Sequence, residues 1–596
     1  MTAFERDARG ITKRVGAPVD KCETYSVRRF DASVTATTKN AVLRRDGLKT
    51  VKPPEKIGEL ALADADAGSV VKAKCSDGGV DVFRVGRSLY AKNAADTVSR
   101  VQQNCFSANS NTVIFHDCGV FYMTDGTRLL TITDALSYGA GAPYIPTVMT
   151  FTGATSGSGV EAEEPNALSD YVNFSYSLSD SASIIYLPSS VKVVSVAGVR
   201  YASGSSYSGT CTLGTHPGGS ATLGFSPAIS GEFTVTLKLG TSNASDVLSL
   251  TTFSAVRSAL YAAKMIAVLC PGMDGMKKTL MISSGDTLYA FGMRDGAYVS
   301  PSAMISTSLD ETATAMLSYS DGALIFSHSQ ILFASVSGGI GSAVIVLGKL
   351  KPDFGCDMPG SAVGFDDKIF FANSSGGIYY IDKFGLTERD GSCHVSALID
   401  DELLSNTDSA LEAAVACATA GAYFISVGGT IYVWHRSNGH PTSPDEPEEK
   451  SYSYNFSCID LVDAGDFIGV SGDKVYMIEK STGYVYRFDI GASGASTDTV
   501  STGMTTLPLD FGSPHEKAMT KLTISAKLGG DATVKIYFDG VEAKSAYTLT
   551  PSAVGDVCSY VIKPERHKFR SVTLKMTSAV PLSLCGAEAT FFKTGT

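Results

Sequence analysis

Short apolar runs alternate with clusters of Gly, Ser, Asp and Asn along nearly the whole chain. The runs have strand length, and most are bounded by turn residues, which is the pattern of an all-β protein. Helical spacing, with apolar residues at i, i+3 and i+4, predicts helices only over 254–263, 396–404 and 410–415.

One hairpin recurs. An apolar strand runs into a few turn residues, and a second strand opens with an aliphatic–aromatic pair. It reads TVIFHDCGVFY at 112–122, TLMISSGDTLY at 279–289, ALIFSHSQILF at 323–333 and IFFANSSGGIY at 369–379. It reads again as AYFISVGGTIY at 422–432 and FIGVSGDKVY at 467–476, with a weaker copy, VFRVGRSLY, at 82–90. The closing aromatics fall at 90, 121, 289, 333, 379, 432 and 476, and the last four gaps are 44, 46, 53 and 44 residues. A period of roughly 40–50 residues is that of a β-propeller blade. The period implies six to eight blades, with unrelated hairpins in several sandwiches as the alternative. Strand-like pieces at 33–37 and 69–73 are expected to close the propeller onto its last blade.

The gap of 168 residues between 121 and 289 is too long for one blade. It predicts an inserted immunoglobulin-like β-sandwich, entered through the Gly-rich 138–143. The period stops near Gly491, after which alternating strands at 522–528, 533–538 and 571–576 predict a C-terminal β-sandwich. The Asp539-Gly540 pair carries a hairpin signal there. The resulting division is 1–75, an N-terminal arm with propeller-closing strands, and 76–143, the first blades. Next come 144–253, the insert, 254–492, the remaining blades, and 493–596, the C-terminal sandwich. The Pro-rich acidic stretch 440–450 reads as an exposed loop.

Composition sharpens this picture. Of 596 residues, 44 % are hydrophobic and 18 % charged, enough apolar material for real cores. The 49 basic and 60 acidic residues leave a net charge of −11, which argues against a broad basic surface for nucleic acid. No apolar run reaches the length of a membrane-spanning helix, and the charged first nine residues lack the apolar core of a secretion signal. The 12 Cys are scattered, with no CxxC pair. They read as reduced, buried small hydrophobes of a protein made in a cytosol, with a few disulfides formed outside the cell as the alternative.

Candidate chemistry is sparse. The sequence has no phosphate-binding loop, HExxH, GxSxG or paired-Cys zinc pattern. His116 and His328 fall at nearly equivalent hairpin turns and read as polar filler rather than metal ligands, and His435 reads as a blade-edge residue. Asp366-Asp367 and Asp400-Asp401 are adjacent in sequence, so their carboxylates point apart and read as solvated. The segment 64–68 lacks the downstream bidentate Glu of a calcium loop. Sialidase-type turns have their nearest counterpart at 318–325 (SYSDGALI), without the Trp.

Two stretches resemble a known family. The run 353–379 is similar to a Gly-Cys-x-x-Pro-x-Ser pattern followed by a strand and an aliphatic–Tyr hairpin; Gly355, Cys356, Pro359, Ser361 and Tyr379 match it. It is followed by TER at 387–389 and the helix expected near 395–404. The second stretch comprises DFG at 510–512, KLTIS at 521–525, VKIYFDG at 534–540 and FRSVTLK at 569–575, opening with Phe569 and Arg570. Together they resemble the virion propeller proteins of tailed bacteriophages: tail-nozzle, tail-stabilisation and head–tail connector proteins. The basic pairs Lys13-Arg14, Arg28-Arg29 and Arg44-Arg45 fit the N-terminal arm of such proteins.

The resemblance implies a non-enzymatic structural component of the virion tail, assembled in the host bacterial cytoplasm. It implies a homo-oligomeric ring, a hexamer favoured, below a portal and adaptor, which docks tail fibres or spikes. Double-stranded DNA would pass through the lumen without specific binding. No cofactor, metal or catalytic residue is implied; the matching residues are structural. The sequence leaves two alternatives open: a non-viral or receptor-binding adhesin or scaffold propeller, and a glycan-active propeller enzyme.

Overall fold

The computed structural model describes residues 3–6, 11–15, 22–27, 35–44, 47–60, 71–107, 110–140, 143–189, 191–217, 220–240, 250–270, 272–273, 276–339, 341–351, 354–365, 368–382, 392–435, 456–460, 465–479, 481–489, 500–511, 515–543, 545–565 and 567–593. The 64–68 loop, Asp366-Asp367, 387–389, the 440–450 loop and Arg28, Arg29 and Arg45 lie outside the described residues. The protein is mostly β, and its recurring unit is a four-stranded antiparallel sheet, the element from which propellers are built. Among the described residues, no helix is long and apolar enough to cross a membrane.

The chain divides into two compact units. One unit comprises Lys72–Ala91 and Val101–Gly355. It holds most of sheet 1 (Val71–Asp77, Val80–Val85, Ser88–Lys92, Val98–Gln102) and all of sheet 2 (Ile114–Asp117, Val120–Thr124, Leu129–Thr133, Tyr138–Ala140). Sheet 3 (Met265–Leu269, Lys278–Ser284, Thr287–Asp295, Tyr298–Ser308) and sheet 4 (Ala315–Tyr319, Gly322–Phe326, Ile331–Ser337, Val344–Lys351) follow. Neighbouring sheets share cores: Leu89, Phe121 and Ile132 between sheets 1 and 2, and Met281, Leu288 and Ile325 between sheets 3 and 4. Both faces of such strands are covered. This is why Ser88–Lys92 and Gly322–Phe326 are buried at every position instead of alternating.

Between sheets 2 and 3 the structure differs from the immunoglobulin-like sandwich expected at 144–253. Instead of two separate sheets there is one six-stranded sheet, in which Thr147–Phe151 runs parallel to Tyr171–Tyr186. The physical reason is strand length. Tyr171–Tyr186 and Ala221–Leu239 pair over their whole course through irregularities near Leu178–Ile184, so one continuous ladder wraps the core of Phe174, Ile185, Leu223 and Val235. The helix expected at 254–263 forms as Leu250–Tyr261.

The other unit comprises Met1–Val71, Lys92–Arg100 and Cys356–Thr596. It holds sheet 5 (Val363–Phe365, Lys368–Asn373, Gly377–Asp382, Ser392–His394). It also holds the four strands of sheet 6 (Val415–Ala418, Ala422–Val427, Thr430–His435, Phe456–Ile459). Sheet 7 consists of Asp466–Ser471, Lys474–Ile478, Tyr484–Asp489 and, as its fourth strand, Glu55–Glu59 from the N-terminal part. The closing strand is therefore Glu55–Glu59, not the two pieces expected: Thr35–Lys39 pairs with Phe456–Ile459 and Thr502–Thr506, and Val71–Asp77 belongs to sheet 1. The C-terminal strands form two sheets around one core of Ile524, Val534, Leu574 and Phe591. Cys22–Val27 and Gly47–Thr50 add to the last strand, Leu582–Lys593. The two remaining expected helices shrink to Asp400–Leu403 and Asp408–Glu412, the second capped by the Thr407 side chain.

All seven repeated hairpins form. The third residue of each second strand is aromatic: Tyr90, Tyr122, Tyr289, Phe333, Tyr379, Tyr432 and Tyr476. In the second hairpin this residue is Tyr122 rather than Phe121, because the strand begins at Val120. In five hairpins the first turn residue takes the left-handed conformation: Gly86, Gly285, Gly428 and Gly472, and Cys118 at φ 50°. A side chain there is strained, at about 1–2 kcal/mol. Cys118→Gly is accordingly expected to stabilise the second hairpin by roughly 0.5–1 kcal/mol, after the extra freedom of glycine in the unfolded chain is counted. Slower hydrogen exchange across 114–124 would show it, and faster exchange would refute it.

Candidate functional site

The family-like residues build a tight turn ahead of sheet 5. Gly355 opens it, and a Cβ at this position would sit 2.1 Å from the Ser327 carbonyl oxygen. Cys356 is fully buried; its thiol donates to the Met358 carbonyl at 3.3 Å, and burial pushes its pKa up. Ser361 is also fully buried and is the hub. Its hydroxyl donates to the Met358 carbonyl at 2.6 Å and accepts from the Ala372 N–H at 2.8 Å. Its carbonyl accepts from the Tyr423 hydroxyl at 3.0 Å. One serine thus joins the turn to a sheet 5 strand and a sheet 6 strand. Pro359 and Gly360 are exposed at the tip, where the Gly360 carbonyl accepts from the Ala416 N–H at 2.8 Å.

Tyr379 lies on the neighbouring hairpin and stacks on His394 at 4.8 Å. Beside it is a cluster that the sequence reading missed. The Ser396 hydroxyl donates to Asp400 Oδ1 at 2.5 Å and accepts from the Ile378 N–H at 2.7 Å. His394 Nε2 is 2.9 Å from Asp400 Oδ2 and 3.2 Å from Ser396 Oγ. The residue types are those of a hydrolase triad, but the geometry is not. The carboxylate and the hydroxyl meet the same ring nitrogen, and the serine proton points at the carboxylate. The cluster ties the start of helix Asp400–Leu403 to strand Gly377–Asp382. Asp400 is thus no freely solvated carboxylate, as its adjacency to Asp401 implied; the i−4 spacing to Ser396 was the available signal.

Phe569 and Arg570 stand apart, in the C-terminal core region. Phe569 is fully buried against Phe538, 5.0 Å between ring centres. Arg570 acts through its backbone. Its N–H donates to both Asp539 carboxylate oxygens at 2.9 and 3.0 Å, and its carbonyl accepts from the buried Lys517 ammonium at 3.0 Å. Burial alone would raise the Asp539 pKa, but the Ser571 and Arg570 N–H groups outweigh it and hold the carboxylate below its usual range.

The remaining candidates separate. His116 lies on strand Ile114–Asp117 rather than in a turn, with Nδ1 3.5 Å from Asp77 and Nε2 3.3 Å from Asp134. His328 sits in the turn between Gly322–Phe326 and Ile331–Ser337, and His435 ends a sheet 6 strand near Ser457. Among the described residues, no group of three or more His, Cys, Asp and Glu is placed to hold a metal ion. The ten described Cys side chains are free thiols; Cys118 and Cys270 are exposed, against the expectation that all are buried.

Gly355, Cys356 and Ser361 hold the turn through close approach and burial, and Phe569 and Arg570 hold the C-terminal core region. Gly355→Ala tests this most directly: the added methyl meets backbone oxygen that cannot swing aside. It is expected to cost about 2 kcal/mol and raise hydrogen exchange in the turn and in Gly322–Phe326. Unchanged exchange would contradict the close approach.

No family model matches the chain, and no curated protein matches it. Among solved structures, the Neurospora crassa Pan2 WD40 domain overlays with a TM-score of 0.36 at 5 % identity, over 74 % of this chain and 97 % of that one. The computationally designed Ika8 protein gives a TM-score of 0.31 at 9 % identity, over 73 % and 100 %. The exo-β-1,3-galactanase of Phanerochaete chrysosporium gives 0.23 at 10 % identity, over 91 % and 100 %. Such distant likenesses to propeller proteins carry no argument about activity, and the sheets above rest on this chain's own strand pairing.

Proposed function

We propose that the chain is a structural component of a tailed phage particle. Its six four-stranded sheets, with the four strands of sheet 6 that continue into the C-terminal strands, would close as one propeller, and copies would form a ring, a hexamer favoured, in the tail nozzle or head–tail connector. The ring continues the DNA channel, retains the genome and docks fibres or neighbouring tail proteins. The observation that carries this reading is the build of the motif turn. The residues that resemble the phage family, Gly355, Cys356 and Ser361, are the ones whose close approach and burial join turn and sheets. A body built this way is stiff, and stiff wedges joined by head-to-tail contacts close into rings. A net charge of −11 suits a lumen along which DNA slides without sticking.

The test is mass spectrometry of purified virions from the host that carries the gene, with electron microscopy of the isolated protein. Presence in virions at a fixed small copy number, and rings on the grid, are expected. Absence from virions, or a lumen dominated by Lys and Arg, overturns the proposal.

A further inference from the structure

The six-stranded sheet carries a depression of about 280 Å³ that the tail reading does not use. Thr150, Ser175 and Thr234 lie side by side on three adjacent strands, and Ser177 faces Glu232 in the next row, with Thr152 beside them. The intervening residues point to the opposite face of the sheet. There Phe151, Tyr176 and Phe233 stack in a buried pile, with 4.7 and 5.3 Å between ring centres. That pile fixes the three strands beneath the depression, so its lining is preorganised.

The polar lining faces solvent and has few partners within the protein. Among the described residues, Thr152, Ser175, Ser177, Thr234 and Glu232 make no side-chain hydrogen bond or ion pair, and Thr150 makes one weak contact with the Val160 carbonyl at 3.5 Å. Elsewhere this chain pairs such groups. Glu164 accepts from Ser300 and Ser302, both at 2.7 Å, and Glu311 accepts from Ser327 at 2.8 Å and from Ser329. Five of the six groups lack such pairing, and together the six are an open set of hydrogen-bonding sites.

We propose that this depression binds one neutral sugar ring. Hydroxyls both donate and accept, so five of them match a ring of vicinal hydroxyls, whose direction of donation varies around the ring. Glu232 only accepts, which selects a ligand rich in O–H donors and repels anionic ones. A single carboxylate among hydroxyls is too few hard charged ligands for calcium. The volume stands at the lower end of ligand pockets, roughly 300 Å³, and so suits one ring rather than a long chain. The inference is independent of the virion reading: a tail protein or an adhesin would use such a site alike.

The test is saturation-transfer NMR on the full chain with D-glucose, D-galactose, D-mannose and N-acetyl-D-glucosamine. Each is offered at about 10 mM, above a millimolar dissociation constant. Transfer to at least one sugar is expected. Glu232→Ala and Thr234→Val are expected to weaken it at least about tenfold, the loss of a hydrogen bond the folded chain does not itself use. Ser177→Trp, at an exposed rim position, fills the depression and abolishes transfer, while Ser205→Ala, outside it, leaves transfer unchanged. No transfer to any of the four sugars, or equal transfer in the Glu232 and Thr234 variants, overturns the proposal.

Discussion

Replacing Arg84 by Ala is expected to lower the opening free energy of sheet 1 by about 4 kcal/mol, read from hydrogen exchange of the Val80–Val85 amides. Arg84 is fully buried, and among the described residues no carboxylate is bonded to its guanidinium. Neutral oxygens hold it instead. Nε donates to the Gly86 carbonyl at 2.8 Å, and Nη2 donates to the Ser107 carbonyl at 2.8 Å. Nη1 reaches the Ser110 carbonyl at 2.7 Å and Thr112 Oγ1 at 2.5 Å, and the guanidinium lies 4.7 Å from the Phe106 ring centre. Burial lowers the Arg84 pKa, a sign that the charge is costly where it stands. The cost is tolerated because one planar fork satisfies several loop carbonyls that have no strand partner. Alanine takes the donor away from the carbonyl of buried Gly86 and the hydroxyl of buried Thr112, at roughly 1–3 kcal/mol for each group left unsatisfied. Lysine keeps the charge but not the fork, so Arg84→Lys should recover less than half of the loss. Exchange of Arg84→Ala within 1 kcal/mol of the parent, a loss smaller than that of one stranded group, would show that water, not the guanidinium, serves these carbonyls.

The hairpins were legible because two local rules coincide in them. A turn that needs left-handed backbone writes itself as Gly, and a strand buried on both faces writes itself as an unbroken apolar run. Both signals lie within about a dozen residues, so a period emerges. Cys118 breaks the first rule, yet its hairpin was still readable from the second. The partners of the N-terminal strands had no such local record. Glu55–Glu59 reads EKIGE, with one large apolar residue, and is a strand only because Tyr484–Asp489 offers an open edge. Thr35–Lys39 finds its antiparallel partner near residue 504, and nothing in its own sequence names that partner. The insert was legible as an insertion, from its length, but not as a single sheet. Two long strands with internal irregularities look, residue by residue, like four short ones.

The candidate site shows the same divide. Cys356 and Phe569 could be read as buried from residue type. The roles of Ser361 and Arg570 run through main-chain groups, which every residue possesses, so no sequence pattern marks them. The depression on the six-stranded sheet draws its hydroxyls from three paired strands far apart in the chain. Ser and Thr are also the commonest turn and surface residues, which hides them among many that do nothing similar.

Acidification should expose a second lock, built around Asp96 in the turn after strand Ser88–Lys92. Its carboxylate accepts from the Tyr476 hydroxyl and from Arg487 Nη1, both at 2.7 Å, and Arg487 Nη2 reaches Glu55 at 2.7 Å. Lys92, only 1 % exposed, lies 3.8 Å from Asp96 and 4.1 Å from the Tyr476 ring centre. One carboxylate thus holds two cations and a phenol contributed by three strands of sheets 1 and 7. Burial alone would raise the Asp96 pKa; the Tyr476 and Arg487 hydrogen bonds and the Lys92 charge outweigh it, so the folded-state value lies below the usual one. The unfolded chain therefore binds this proton more readily. The stabilisation is complete above the ordinary Asp value of about 4 and is lost as pH falls through the folded-state value. The one tryptophan, Trp434, is buried in the core shared by sheets 5 and 6 and reports on unfolding of the same unit. Asp96→Asn should lower that unit's unfolding free energy by about 3 kcal/mol at pH 7, since it takes one negative charge away from the buried Lys92 ammonium and from Arg487. The gap between the two proteins should hold above about pH 4 and narrow as pH falls below it, because the parent loses what the variant never had. Parallel acid limbs, with a constant gap down to pH 3, would mean that Asp96 acts by shape alone and that the charges around it contribute nothing to closing sheet 7.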